Sequence, residues 1–523
     1  MDLDSLNVPM FFDAAAAANP DAPFLIWTED GTTTSYAEAG ALINRAAAVW
    51  HRLGVRKGDR VCFMLDNCPQ FIWAWLGLAK AGGVLVAVNT GFRAEEARYL
   101  VQNSASHLAL VGDEHLPVMR AVMDRVAVLE RLLSPGSGPD GFSQMLAAES
   151  AEPPKVELRG DDLVSLIYTS GTTGDPKGVM QTHRNFVLTG QAYGHWMQMK
   201  PGERIYACLP LFHINSQAYS TMGAIGVGGA LVLTPRFSAR RFWPEVRQYA
   251  VSVFNFIGAM TIILSKKEPA ADDGDNVVHT AYGVPALAPE LVDSVQERFG
   301  LRVISGFGMS ETTFGLLEPS DEPRRPGSMG RPRHHPDASV PRTEAKIVDE
   351  SGTEAPRGVA GELLLRNAAM MVGYFRDRER TAEALRDGWL YTGDTAYQDE
   401  DGFFFFVDRK KDIVRRRGEN VSSIEVERTI ERHPDVQEAA VIGVPSDLSD
   451  EELLVFVVPR AGAHPDPRTI FDWAANNLAP FKVPQFVRYV ETLPKTPTSK
   501  IQKAILREID AGDVVGRITR NAD

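Results

Sequence analysis

Residues 168–178 constrain the fold of this 523-residue chain more than any other segment. The segment combines glycines, Ser and Thr hydroxyls and Lys177, and it follows an apolar run at 163–168 that predicts a buried strand. A loop at the end of a strand lies where α/β sheets bind their ligands. Glycines let backbone N–H groups approach an anion, hydroxyls add donors, and Lys177 adds positive charge. We therefore interpret the segment as a polyphosphate-binding loop.

Two other interpretations of this loop are weaker. It is not a Walker A loop, because no Gly-Lys-Ser/Thr sequence closes it. A flexible linker of Gly, Ser and Thr is the alternative, but linkers rarely follow a strand and rarely end in Pro-Lys-Gly.

Composition indicates a globular protein with more than one domain. A chain of 523 residues exceeds what one hydrophobic core usually supports. The net charge of -13 disfavours a nucleic-acid partner. Three cysteines form neither a metal-binding spacing nor a disulfide framework, and the acidic N-terminus lacks a signal-peptide pattern. The apolar stretch 71–88 is interrupted by Lys80 and a Gly-Gly pair, so we expect no membrane span and a cytoplasmic location.

Alternating strand and helix patterns predict an α/β fold, with a large layered N-terminal domain of mainly parallel sheets. A strand at 60–65, a helix at 69–80 and a strand at 84–88 form one βαβ unit. Segment 318–341 is rich in Pro and Arg and predicts an extended connection. Further strands are predicted at 107–111, 163–168, 205–209, 230–233 and 303–305.

A domain boundary is predicted between residues 408 and 409. The N-terminal domain would comprise residues 1–408, and a small α+β C-terminal domain would comprise residues 409–523. The predicted elements of the second domain are helices at 423–432 and 469–478 and strands at 436–444, 453–458 and 486–490.

Segment 305–312 also follows a predicted strand. It begins like a dinucleotide-binding fingerprint, but Glu311 stands where the third glycine should be. A carboxylate beside a phosphate site needs a cation between them, and Mg²⁺ suits oxygen ligands. Phe307 beside Gly308 can stack on a base. The alternative is a solvated surface turn that contains a Glu.

The loop 168–178 resembles the phosphate-binding signature of the adenylate-forming enzymes, which include acyl- and aryl-CoA synthetases, firefly luciferase and nonribosomal adenylation domains. The resemblance covers essentially the whole chain and implies a C-terminal lid with the active site between the domains. Further segments resemble the family's motifs in the family's order, namely 209–215, 305–312, 388–394, 409–420 and 494–501.

The resemblance implies roles for individual residues in ATP binding. Phe307 and Gly308 would contact adenine, Asp394 and Arg409 the ribose, and Ser310 the phosphate, while Glu311 would coordinate Mg²⁺. The phosphate loop would contribute Thr169, Ser170, Gly171, Thr172, Thr173, Gly174 and Lys177.

The resemblance also implies residues for the two chemical steps. Lys500 would stabilise the charge that develops between an attacking carboxylate and the α-phosphate. His213 would position substrate in the acyl pocket and thiol tunnel, although a packed core histidine is the alternative. The C-terminal domain would rotate at Lys411 between the steps. A loop containing Arg415, Gly418 and Glu419 would then face the site.

These roles together predict an AMP-forming acid–thiol ligase that uses ATP, Mg²⁺ and coenzyme A. A carboxylic acid would form an acyl-adenylate with release of pyrophosphate, and the CoA thiol would then displace AMP. Ser499 stands where the family has Gly, so strain in this loop could misplace Lys500. An enzyme competent mainly in thioester formation is therefore one alternative, and a free-standing enzyme that loads a carrier protein is another.

The acid itself is predicted only as a class. Segments 65–89 and 406–427 look closest to bacterial acyl-CoA ligases of the carnitine-CoA ligase type. Carnitine is not adopted, because a quaternary ammonium needs an aromatic cage or a carboxylate that a sequence does not show. Apolar and small pocket residues predict a bulky hydrophobic acid, and homo-oligomerisation stays open. The predicted acyl-pocket residues are Phe256, Gly258, Tyr282, Gly283 and Phe314.

Overall fold

The chain folds into two compact units. Unit 1 comprises Met1–Thr90, Arg98–Tyr168 and Gly178–Asp408, and unit 2 comprises Gly91–Ala97, Thr169–Lys177 and Arg409–Asp523. The predicted α/β class, with large mainly parallel sheets followed by a smaller C-terminal part, is confirmed. The computed structural model describes residues 2–136, 138, 141–169, 175–284, 289–320, 322–349, 351–409, 413–446, 451–494, 501, 503–508 and 515–516.

The first sheet of unit 1, sheet A, has six strands among the described residues. Its strands are, in spatial order, Arg131–Leu133, Leu108–Val111, Arg60–Met64, Val84–Ala87, Leu163–Thr169 and Lys177–Thr182. The first five pair in parallel. Their side chains are mostly buried because helices cover a parallel sheet. The helix predicted at 69–80 is present as Pro69–Lys80, with proline in its first turn.

The second sheet, sheet B, has nine strands among the described residues. Its central strands are parallel, and antiparallel strands flank them at both edges. The strands are, in order, Arg331–Pro332, Thr312–Leu317, Arg302–Met309, Thr280–Val284, Val253–Ile257, Arg204–Ala207, Ala230–Leu233, Pro23–Trp27 and Thr33–Ser35.

One part of sheet B differs from its prediction. The strand predicted at 303–305 continues to Met309 and turns back at Ser310 and Glu311 into an antiparallel partner. The interpretation of Glu311 as part of a solvated turn is wrong, because this residue is only 6% exposed.

A third sheet of unit 1, sheet C, was not predicted as a separate layer. Three pairs of neighbouring strands in sheet C are antiparallel. Described segment 318–341 contains no helix, as expected from its prolines. The strands of sheet C are Glu344–Val348, Gly361–Arg366, Trp389–Gln398, Leu385–Arg386 and Phe404–Arg409.

Several helices begin at a side-chain cap. Ser35 and Glu38, for example, form a capping box at the start of Tyr36–Arg52. None of the described helices is long and apolar enough to cross a membrane. The other α-helices before residue 400 are Val8–Ala18, Ala94–Ser104, Leu116–Met123, Phe142–Ala148, His183–Trp196, Met222–Gly226, Phe242–Gln248, Gly258–Ser265, Pro289–Phe299 and Arg378–Ala384.

The C-terminal part of unit 2 combines helices and strands around cores of its own. Its four-stranded sheet, sheet D, contains Val436–Pro445, Glu451–Pro459, Phe486–Tyr489 and Val515–Gly516. A ribbon pairs Ile413–Arg416 with Glu419–Ser422. The helices are Ser423–Glu431, Pro467–Asn477 and Lys503–Glu508. The main core contains Val421, Ile430, Val441, Val455 and Ile470.

Candidate active site

The predicted phosphate loop joins two strands of sheet A. Thr169 ends the strand Leu163–Thr169, and Lys177 begins the strand Lys177–Thr182. Both residues are partly buried. Residues 170–174, Lys411 and Lys500 lie outside the described residues, and only the backbone of Arg409 is described, at the end of its strand.

The buried carboxylate of Glu311 has one described hydrogen-bond donor. The Tyr374 hydroxyl donates to Oε1 of Glu311 at 2.8 Å, while Oε2 accepts from no described residue. Burial and the nearby carboxylate raise the pKa of Tyr374, so this hydroxyl stays protonated and acts as the donor. A buried carboxylate with an oxygen to spare is a suitable hard ligand for Mg²⁺.

The turn at Ser310 and Glu311 is held by buried amides. Nε2 of Gln181 donates to the Ser310 carbonyl at 2.5 Å, and Nδ2 of Asn185 donates to Oε1 of Gln181 at 2.8 Å and to the Met370 carbonyl at 2.9 Å. Both amide side chains are almost fully buried. The sequence analysis missed them, since their partners lie more than 100 residues away in the chain.

Phe307 and Gly308 lie on the strand that leads into this turn. Phe307 pairs with Leu316 across the hairpin, and its partly buried ring joins the core cluster around Leu316. A Cβ at Gly315 would lie 1.9 Å from the Phe307 carbonyl oxygen, so only glycine allows the two strands to approach this closely. The backbone beside Phe307 is therefore fixed.

Asp394 lies in the middle of the sheet C strand Trp389–Gln398 and is 3% exposed. The preceding Gly393 has φ +73°, which glycine adopts without strain. Its N–H donates to Oε1 of Glu362 at 3.1 Å, and the Asp394 N–H donates to Oγ1 of Thr392 at 3.1 Å. These bonds fix the backbone at Gly393 and Asp394, where the pairing register with the strand Gly361–Arg366 shifts.

His213 is partly buried and lies just before an irregular helix. Nearby Asn67 is buried and accepts from the Leu211 N–H at 2.7 Å. The segment that follows, Asn215–Thr221, is a π-helix, a geometry that recurs at functional sites. It presents Tyr219, whose hydroxyl donates to the Thr313 carbonyl at 2.9 Å. Tyr219 thus connects the π-helix to the strand that follows Glu311.

The residues predicted to line an acyl pocket occupy neighbouring strands of sheet B. Phe256 and Gly283 are on paired strands, and a Cβ at Gly283 would lie 2.2 Å from the Phe256 ring. Tyr282 and Phe314 are buried as well, and Gly258 begins a helix directly after its strand. Phe256, however, belongs to a different core cluster from Tyr282 and Phe314. Because Phe256 pairs with Gly283 and successive residues of a strand face opposite sides of a sheet, Phe256 and Tyr282 lie on opposite faces of sheet B. The structure therefore does not bring all five residues to one pocket.

Arg333 lies beside Tyr282 and was missed by the sequence analysis. It is 4% exposed and donates to the Tyr282 hydroxyl at 3.0 Å and to the Tyr219 hydroxyl at 2.9 Å. The only available signal was the arginine content of segment 318–341, which predicted an extended backbone but no burial.

The predicted thioester-step loop lies at the ribbon of unit 2. Gly418 has φ +83°, as the tight turn requires, and Arg415 and Glu419 are partly buried. Arg416 is instead structural. Its guanidinium pairs with Glu452 and donates to the carbonyls of Phe481 and Val483.

Two family models match the chain. The AMP-binding enzyme model matches residues 12–375, and the model of the AMP-binding enzyme C-terminal domain matches residues 425–500. The crotonobetaine/carnitine–CoA ligase of Salmonella paratyphi A is 36% identical over 488 residues, which cover 90% of this chain and 93% of that protein.

Solved structures are similar over nearly the whole chain. A fatty acyl CoA synthetase of Mycobacterium tuberculosis has a TM-score of 0.72 at 28% identity and covers 96% of this chain and 98% of its own. A double mutant of o-succinylbenzoate CoA synthetase from Bacillus subtilis, bound to a product analogue, has a TM-score of 0.84 at 25% identity. That match covers 95% of this chain and 98% of the neighbour.

Proposed function

Because the chain belongs to the AMP-binding enzyme family, we propose that it joins a carboxylic acid to coenzyme A through an acyl-adenylate. The class is that of the AMP-forming acid–thiol ligases. The main structural support for the residue roles proposed below is the hairpin of sheet B formed by Arg302–Met309 and Thr312–Leu317. It combines Phe307, Ser310 and the buried Glu311 within five residues.

In the first step, a carboxylate oxygen of the acid attacks the α-phosphorus of ATP, and the bond to pyrophosphate breaks. The loop 168–178, which includes Lys177, binds the phosphates of ATP, and Lys500 neutralises the charge that develops at the reacting oxygens. Support for the loop comes from its place between two strands of sheet A. Support for Lys500 is its position in the sequence motif.

Adenosine is held mainly by residues of unit 1, together with Arg409 of unit 2. Phe307 stacks on adenine, Asp394 accepts hydrogen bonds from ribose hydroxyls, and Ser310 contacts phosphate. The burial of Asp394 and its fixed backbone support this role, because a carboxylate can accept hydrogen bonds from two hydroxyls at once. Arg409 is assigned to the ribose from its sequence position.

Glu311 is the residue that fits a magnesium ligand. When bound, Mg²⁺ supplies positive charge next to the phosphates. Tyr374 orients the carboxylate through Oε1 and leaves Oε2 without a described donor, as a metal ligand requires.

In the second step, the CoA sulfur attacks the acyl carbonyl carbon, and the bond to the AMP oxygen breaks. Residues 1–408 form the nucleotide- and acyl-binding domain, and residues 409–523 form a lid that turns at Lys411. The lid replaces Lys500 with the loop of Arg415, Gly418 and Glu419. His213 positions the acyl group.

The acid has an apolar body, because Tyr282 and Phe314, which share one core cluster of unit 1, are aromatic and buried. We expect the protein to act in the cytoplasm. Cysteine usage supports this location, since all three cysteines are free.

A panel of carboxylic acids with ATP, Mg²⁺ and CoA tests this function. We expect pyrophosphate and acyl-CoA from at least one acid, with the product identified by mass spectrometry. Glu311→Gln should lower pyrophosphate release at least about 100-fold, whereas Glu344→Gln should not, because Glu344 is an exposed partner of Arg366. Acyl-CoA formed only from supplied adenylates would mean a thioester-forming enzyme. Adenylate without acyl-CoA would point to carrier loading, and no product from any acid or adenylate would refute the proposal.

A further inference from the structure

Arg333 is a buried cation without a carboxylate partner among the described residues. Its side chain is 4% exposed, and it follows the short strand Arg331–Pro332. An arginine stays charged at any accessible pH. Its charge must therefore be balanced within the protein or by a ligand, because an unpaired ion in the interior is strongly unfavourable.

Three aromatic rings surround this guanidinium. Its central carbon lies 4.9 Å from the ring centre of Trp196, 5.2 Å from that of Tyr219 and 5.6 Å from that of Tyr282. The phenol oxygens of the two tyrosines and the Phe307 carbonyl, at 3.3 Å, accept its N–H groups, but the buried Nε has no partner among the described residues. The cage thus supplies dipoles and ring faces, but no negative charge.

The guanidinium also touches the hairpin of the candidate active site. A Cβ placed on Gly308 would lie 3.1 Å from Nη2 of Arg333 and 3.2 Å from the Tyr219 hydroxyl. The absence of a side chain at Gly308 therefore leaves room for the cation directly beneath the strand that leads to Ser310 and Glu311. Tyr282, which is one of the predicted acyl-pocket residues, forms part of its cage.

We propose that the acid carries a second carboxylate, which binds Arg333 while the first carboxylate reacts. This inference rests on the proposed function and refines its acyl site. The apolar side chains contact the body of the acid, and the guanidinium recognises its far end through charge-assisted hydrogen bonds. If residue 333 had only to fill space in the core, a methionine or leucine would do so without burying a charge.

Arg333 pairs with the second carboxylate, since the reacting carboxylate loses its charge when it becomes an anhydride and then a thioester. A cation that bound the reacting group would lose its partner in every turnover. The second carboxylate keeps its charge through both steps, so the buried ion pair persists.

The same geometry selects against cationic acids. The ring faces that would receive a quaternary ammonium already hold a guanidinium. Like charges in a low-dielectric pocket repel strongly. We expect acids such as carnitine to be poor substrates.

Matched pairs of acids test the inference with the full-length protein. Each pair differs only at the far end, where one member has a methyl group and the other a carboxylate, as in hexanoate and adipate or their aryl counterparts. The variants are Arg333→Met, Arg333→Lys and the control Arg331→Met. Arg331 is partly exposed and pairs with Glu322, so its loss removes a nearby arginine without touching the cage.

We expect the wild type to favour the diacid of the best pair by roughly 30-fold or more in kcat/KM, as charge-assisted hydrogen bonds allow. Arg333→Met should abolish this preference, mainly through KM for the diacid. Arg333→Lys should retain part of it, and Arg331→Met all of it. A wild type that favours the monoacid in every pair, or an Arg333→Met variant with unchanged preference, would overturn the inference.

Binding separates this inference from the proposed function. The thermal midpoint is measured with AMP and each acid, without ATP. If no acid is turned over, the ligase proposal fails. Carboxylate binding at Arg333 is still supported if a diacid raises the thermal midpoint of the wild type and of Arg331→Met but not that of Arg333→Met. If no diacid stabilises the wild type more than its monoacid partner, Arg333 does not bind a carboxylate.

Discussion

At the scale of single residues, the hydroxyl of Tyr374 is the described contact that orients the Glu311 carboxylate. Tyr374→Phe removes this donor and leaves the ring in place. Partners that orient a metal ligand typically change metal affinity by 10- to 100-fold. We therefore expect the Mg²⁺ concentration for half-maximal pyrophosphate release to rise by roughly 10-fold. A titration of activity with Mg²⁺ at saturating ATP measures this.

Tyr397→Phe is the matched control for that experiment. Tyr397 also lies in unit 1, and its ring stacks on Phe405 at a centroid distance of 5.0 Å. Its hydroxyl has no assigned role in the site, so its Mg²⁺ requirement should equal that of the wild type. If Tyr374→Phe lowers stability and leaves the Mg²⁺ requirement unchanged, Glu311 does not coordinate the metal.

At the scale of elements, a hydrogen bond between two buried hydroxyls connects the helix His183–Trp196 to the strand Thr312–Leu317. Oγ1 of Thr189 and Oγ1 of Thr313 lie 2.6 Å apart, and neither side chain is exposed. Oγ1 of Thr189 also donates to the Asn185 carbonyl at 2.6 Å, so Thr313 is the donor of the pair. Thr189→Val leaves the Thr313 hydroxyl without its acceptor and should lower the free energy of unfolding by about 1–2 kcal/mol, whereas Thr313→Val leaves the Thr189 hydroxyl bonded to Asn185 and should lower it less. Urea unfolding of each variant measures this.

The double variant is the informative control for this hydroxyl pair. With both residues changed to valine, no hydroxyl is left unpaired, so the loss should be smaller than the sum of the single losses by about 1 kcal/mol. The strand begins directly after Glu311, so pyrophosphate release should fall in the single variants and partly recover in the double variant. Strictly additive losses would mean that the two hydroxyls do not act as a pair.

The same elements show what a sequence can predict here. Apolar runs and a proline at the first helical position predicted Pro69–Lys80, and the strands that they predicted are present, most with ends within two residues, because these signals are local. Many other strands, including most of those in sheet C, were not predicted. The hairpin after Met309 was missed, since its glycines and Glu311 resemble a loop. Gln181 and Arg333 were missed because their burial depends on contacts with distant residues. The sequence therefore predicted elements and motifs, but not the contacts that fix the geometry of the hairpin.

At the scale of the whole molecule, the two units have separate hydrophobic cores. Proteins with more than one core commonly depart from two-state unfolding. Of the eight tryptophans, Trp473 alone falls within the residue ranges of unit 2. Its Nε1 donates to the Thr429 carbonyl at 2.8 Å, and its ring lies 5.3 Å from that of His433. The difference in fluorescence between the wild type and Trp473→Phe therefore reports on unit 2.

We expect this difference signal to have a urea midpoint distinct from that of the remaining tryptophans. AMP should raise the midpoint of unit 1 more than that of unit 2, because Phe307, Ser310 and Asp394 belong to unit 1, whereas unit 2 contributes Arg409 and the segment Thr169–Lys177 to the assigned nucleotide contacts. The stabilisation at 100 times the dissociation constant is about 2.7 kcal/mol for the unit that binds the ligand. Trp389→Phe, which removes a tryptophan of unit 1, is the control and should leave the difference signal of unit 2 intact. Coincident transitions that AMP shifts equally would show that the molecule unfolds as one unit and that the nucleotide stabilises all of it.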